Sequence, residues 1–159
     1  MFSSYNKTIF YIIISILILT FQVNFPNIIF FNEHEINIDL FLVFITFLSI
    51  LLGSYKIIIF SFFYGFILDI VLSTNEIGLL SFITSFTSFL LISLKDYDNL
   101  WNRNMKFLSI FFIYLFHFLF FYLILFNDTF LVVFLISFFQ AIFTFIIFYI
   151  ISKFIVKVK

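Results

Sequence analysis

Solid apolar runs separated by short polar breaks make up nearly the whole chain. They cover residues 9–25, 40–54, 57–72, 77–94, 107–126 and 130–152. Strands of a membrane barrel would alternate apolar and polar positions over about 10 residues, and these runs do not, so they read as helices. A helix needs about 20 residues to cross the hydrocarbon core. The second and third runs are slightly short, and flanking residues make up the length. The break between them at Lys56 is so brief that they read as a helical hairpin. The first run resembles a secretory leader, but only QVNFPN follows and no small-residue cleavage site, so it is read as a retained span ended by Pro26. The predicted fold is an all-α membrane protein, a bundle of six transmembrane helices with short loops in one domain over residues 1–159.

The charges orient this bundle. Six spans put both ends of the chain on one side. Lys7, Lys56, Lys95, Arg103, Lys106, Lys153, Lys157 and Lys159 all fall on that side, in the lead, the second loop, the fourth loop and the tail. A surplus of lysine and arginine marks the cytoplasmic face, so both termini are expected in the cytoplasm. Five spans would split the cations. The first loop on the other side, residues 27–39, carries Glu33, His34 and Glu35 and no cation. Tyr97 and Trp101, in the fourth loop, are of the aromatic types that favour the headgroup level.

Composition narrows the function further. The chain is 65% hydrophobic and 10% charged, which excludes a soluble globule. It has no cysteine, which excludes a disulfide framework and thiolate chemistry. Its formal net charge is +0 with no long basic run, so nucleic acid is not an expected partner.

Polar residues inside the runs are the candidate sites. Gly65 and Asp69 are four apart and share a helix face. The glycine allows another backbone to come close, and the carboxylate must face protein or water rather than acyl chains. The main-chain amides of the turn at residues 73–76 and of the next helix start are its expected partners. Gly78 opens the fourth run, where Ser81, Thr84, Ser85 and Ser88 form one stripe. Ser49 with Gly53, and Ser61 with Gly65, are small-residue pairs of the kind that bring helices together. The stripe reads first as packing within the chain and second as a surface for a partner helix. Gln140, on one face with Ser137 and Thr144, needs a partner for its amide, expected within the chain ahead of another subunit. Ser15 and Gln22 share a face of the first span. His117, one turn from Tyr114, is an intramembrane histidine, and Asp69 is the only other titratable group of this kind within a span. A hydrogen-bonded core role is therefore expected for His117 ahead of a proton relay. No metal-ligand spacing and no catalytic pair at matched depth stands in the sequence, so neither a metal nor a cofactor is expected and a membrane enzyme ranks last.

Three features resemble the MreD family of bacterial rod-shape-determining membrane proteins. One is a proline and an aspartate-led span after the first helix, here NFPN and then IDLFLVFITFLSILLG. Another is an F-x-x-G-x-x-x-D core, here Phe62, Gly65 and Asp69. The last is a glycine after a short turn, here Gly78. The resemblance covers roughly residues 20 to 90. It departs where Ile38, not proline, precedes Asp39, and where the turn before Gly78 carries Ser73, Thr74, Asn75 and Glu76 in place of glycine. The resemblance implies a non-enzymatic scaffold of the rod or elongation complex. Such a scaffold binds MreC in the membrane, connects indirectly to MreB and the wall-synthesis enzymes, and serves cell shape and lateral peptidoglycan synthesis. It implies structural or partner-binding roles for Gly65, Asp69 and Gly78, with Ser81, Ser85 and Ser88 as a helix-docking face. A homo-oligomer stays open. The family is also similar in fold to the substrate-binding subunits of energy-coupling-factor transporters, so a solute-binding subunit, with His117 and Gln140 supplying polar groups, is the alternative.

Overall fold

The structure is a computed structural model that describes residues 4–24, 28–30, 34–36, 38–71, 77–96, 102–126 and 128–156. Pro26, Glu33, the turn at residues 73–76, Tyr97, Trp101, Lys157 and Lys159, all named above, lie outside the described residues. Six helices follow in order: α1 Ser4–Val23, α2 Leu40–Leu52, α3 Lys56–Val71, α4 Leu79–Asp96, α5 Arg103–Leu125 and α6 Phe130–Val156. An antiparallel pair of short strands, β1 Ile28–Phe30 and β2 His34–Ile36, stands between α1 and α2, with Ile28 opposite Ile36 and Phe30 opposite His34. The all-α architecture stands, with this small hairpin as an addition in the first loop. The pairing lets a loop beside the bundle satisfy backbone groups within itself. Ile36, at the end of β2, is fully buried.

Among the described residues, three helices are long and apolar enough to cross a membrane: α4, α5 and residues 130–154 of α6. α2 is apolar but has 13 residues, a rise of about 20 Å against about 30 Å of hydrocarbon. It is the central element, touching α1, α3, α4 and α6. Phe41, Leu42, Val43, Ile45, Thr46, Leu48 and Ser49 are all buried, so protein surrounds it nearly all round. Its ends are fixed locally. Asp39 caps the start by accepting from Leu42 N at 2.8 Å, and the Gly53 amide closes the last turn on Ser49 O at 3.0 Å. The second and third spans were expected to pair as a hairpin. They do follow one another through a short connection, but α3 packs chiefly on α4, and α5 chiefly on α6. The small residues of α3 and α4 account for that choice, because they let these two backbones approach most closely.

Basic residues gather at one end. Lys95 Nζ donates to Leu51 O at 3.1 Å and joins the C-terminal ends of α2 and α4. Phe107, near the start of α5, packs on Phe148 and Tyr149 near the end of α6, with ring centroids 6.1 and 5.6 Å apart. Lys95, Lys106 and Lys153 therefore share an end of the bundle. Many phenylalanines point outward, among them Phe62, Phe63, Phe82 and Phe89, whereas Phe41, Phe118 and Phe148 are buried.

Candidate functional site

Two buried aspartates organise the polar interior. The first, Asp69, lies near the end of α3 and faces the start of α4. Its Oδ2 accepts from the amides of Gly78 at 3.0 Å and Ser81 at 3.3 Å and from the Ser81 hydroxyl at 3.3 Å. Its Oδ1 accepts from Leu80 N at 3.1 Å. The first amides of a helix have no partner inside it and carry its positive end, so a carboxylate there is well placed. Gly78 sits at a φ of 99°, a conformation side chains disfavour, and so turns its amide toward Asp69. One turn earlier on α3, a Cβ on Gly65 would stand 2.7 Å from Leu80 O and from Ser81 Cα, backbone atoms that have no room to yield. Thr84 Oγ1 adds a bond across the same seam, donating to Ser61 O at 2.9 Å.

The second centre surrounds the start of α2. Besides capping Leu42, Asp39 donates its own amide to Thr144 Oγ1 at 3.4 Å. Its Oδ2 lies 3.9 Å from His117 Nε2. His117 is almost wholly buried, and its Nδ1 lies 2.9 Å from Thr87 Oγ1. Burial raises the Asp39 carboxyl from 3.8 to about 6, against the lowering effect of the Leu42 and Phe41 amides. Gln22 reaches across from α1, accepting from Leu40 N at 2.8 Å and donating to Ile38 O at 3.0 Å. It thus satisfies the backbone on both sides of Asp39. One turn into α2, Thr46 Oγ1 and Tyr114 OH are 2.7 Å apart. Tyr64 OH donates to Ser15 O, and its ring stacks on Phe41 at 3.5 Å.

The remaining candidates find partners inside the chain. Gln140 Oε1 accepts from Tyr122 OH, joining α6 to α5. Ser81, Thr84 and Ser88 are buried between helices. Ser85 is partly exposed and bonds back to Ser81 O at 2.8 Å. Ser137 bonds back to Val133 O at 2.7 Å, while Thr144, on the same face, meets Asp39. Ser49 Oγ is buried without a hydrogen-bond partner. Among the described residues no cluster of three or more histidines, cysteines or carboxylates stands together.

One reading changes here. His117 was expected to have only Asp69 as a titratable companion within the spans, yet Asp39 stands against it. α2 is short, so its capped start lies level with the interior of α5 rather than at a loop surface. Gln22 was marked only for its shared face with Ser15, and Asp39, Thr46, Thr87 and Tyr122 were not singled out as site residues, although an aspartate directly before an apolar run is a helix-start signal.

No family model, no curated protein and no solved structure matches this chain.

Proposed function

We propose that the chain is a non-enzymatic scaffold subunit of the bacterial rod or elongation complex, a six-span inner-membrane protein with both termini in the cytoplasm. It would bind an MreC-type partner and connect through it to MreB and lateral wall synthesis. The observation that carries this reading is the convergence of the family-like residues. Gly65, Asp69 and Gly78 resemble the MreD pattern in sequence, and all three shape one junction between α3 and α4. The gathering of Lys95, Lys106 and Lys153 at one end supports the orientation. In this reading the junction sets the angle between α3 and α4, and the partner's membrane helix docks on the outer surface so formed.

The test is affinity capture of the tagged protein from mild detergent, with mass spectrometry of what accompanies it. The expected companion is a protein with one membrane helix and a large periplasmic domain. Gly65→Leu should abolish its recovery, and Asp69→Asn should reduce recovery less. An ATP-binding subunit recovered with a second multi-span protein would overturn the scaffold reading in favour of a solute-binding transporter subunit.

A further inference from the structure

The Asp39–His117 contact carries an inference independent of any docking partner. The tautomer of the histidine follows from Thr87. Its hydroxyl has one proton and lies 2.7 Å from Ile83 O, to which it donates. Toward the ring it can therefore only accept, so His117 Nδ1, at 2.9 Å, carries hydrogen. Nε2 is left as a lone pair, and Nε2 is the nitrogen that faces Asp39 Oδ2 at 3.9 Å. An ionised carboxylate would set a negative oxygen against that lone pair in apolar surroundings. One additional proton, on either atom, turns this repulsion into a hydrogen bond and leaves the pair neutral overall.

The neighbours provide no other remedy. Among the described residues, Tyr64 from α3 and Tyr114 and Tyr122 from α5 are titratable groups within electrostatic reach of Asp39. Each hydroxyl is engaged elsewhere, with Ser15 O, Thr46 and Gln140. α6 offers Thr144, α1 offers Gln22 and α4 offers Thr87, all uncharged. Asp69, the other buried acid, is turned to the start of α4. None of these described groups brings a cation.

We propose that Asp39 Oδ2 and His117 Nε2 form a one-proton site that, when occupied, fastens the start of α2 to α5. At 3.9 Å the atoms stand roughly 0.7 Å beyond hydrogen-bond length, so occupancy must draw the carboxyl and the ring together by that much. The acid is the more accessible partner, with 16% of its side chain exposed against 2% for the histidine, so the proton exchanges through Asp39.

The experiment uses the full chain in detergent at a pH of about 5, where a free aspartate carboxyl is already ionised. Infrared spectra report the carbonyl stretch of a protonated carboxylic acid. Nitrogen NMR of the His34→Asn protein reports His117 as the single histidine. The expected result is an acid band lost in Asp39→Asn, with His117 neutral and hydrogen on Nδ1. An imidazolium His117 without the band also supports the site, with the proton resting on nitrogen. A neutral His117 with no acid band attributable to Asp39 overturns it, and so does a neutral ring with hydrogen on Nε2. If Asp39→Asn does not fold, His117→Gln replaces it. The band must then shift, because its hydrogen-bond partner has changed, and an unmoved band overturns the assignment.

Discussion

Asp69 and Asp39 are both buried acids beside a helix start, yet their surroundings differ in kind. Asp69 accepts at least four hydrogen bonds, three of them from main-chain amides that cannot move away. Asp39 is met only by amides of its own helix start, Leu42 at 2.8 Å with Phe41 beside it, and has a histidine lone pair opposite its other oxygen. Charge at the first site is balanced by fixed dipoles, so the first carboxylate acts as a rivet between α3 and α4. At the second site the balance is left to a proton. The number of donors aimed at a carboxylate, more than its burial, separates the two roles.

Breaking the comparison begins with Asp69→Asn. The amide group would set its own N–H against donors that now meet Oδ2, and hydrogen bonds to a charged group are worth roughly 1.5–3 kcal/mol each. The expected loss in unfolding free energy, measured by thermal melts in detergent, is about 3 kcal/mol or more. A loss below about 1 kcal/mol would show that the amides are satisfied without the charge.

A pH series sharpens the contrast. The Asp39 carboxyl is raised from 3.8 to about 6 by burial, so the folded chain holds more protons than the unfolded chain between those values. The stabilisation is therefore complete below 3.8, is lost as pH rises from there through about 6, and is absent above. Wild-type stability measured against Asp39→Asn should fall with rising pH by at most about 1.4 kcal/mol per unit. A flat difference would remove the titration from Asp39. The smallest effect expected is that of Asp39→Asn itself at neutral pH, within about 1 kcal/mol, because the asparagine oxygen still caps Leu42 and its N–H can donate to His117. A melt as damaging as that of Asp69→Asn would erase the distinction between the two acids.

The junction of α3 and α4 was legible because its signals are local. Gly65 and Asp69 are one turn apart, and Gly78 follows soon after, so helix periodicity alone places them together. The second centre was hidden because its parts are distant along the chain: Asp39 meets Thr144 across 105 positions. A hydropathy reading assigned Asp39 to a loop, since it carries no information on how deep a short helix sits. Thr87 illustrates the same limit. It lies beside the serine stripe of α4 but off it, and only the packing of α5 makes its hydroxyl the partner of His117. The hairpin of β1 and β2 was missed because strands of three residues leave almost no alternation to detect.

The shortness of α2 has a consequence for biogenesis. A helix of 13 residues is a poor candidate to hold its place in a bilayer alone. Of its neighbours, α1 precedes it, α3 follows at once, and α4 and α6 emerge later from the ribosome. The partners of its capped start, His117 and Thr144, belong to the last two helices. The centre of the bundle is thus synthesised early and completed late. Until α5 and α6 arrive, the second helix is an unfinished insertion, and a chain truncated before residue 103 should leave it exposed to membrane quality control.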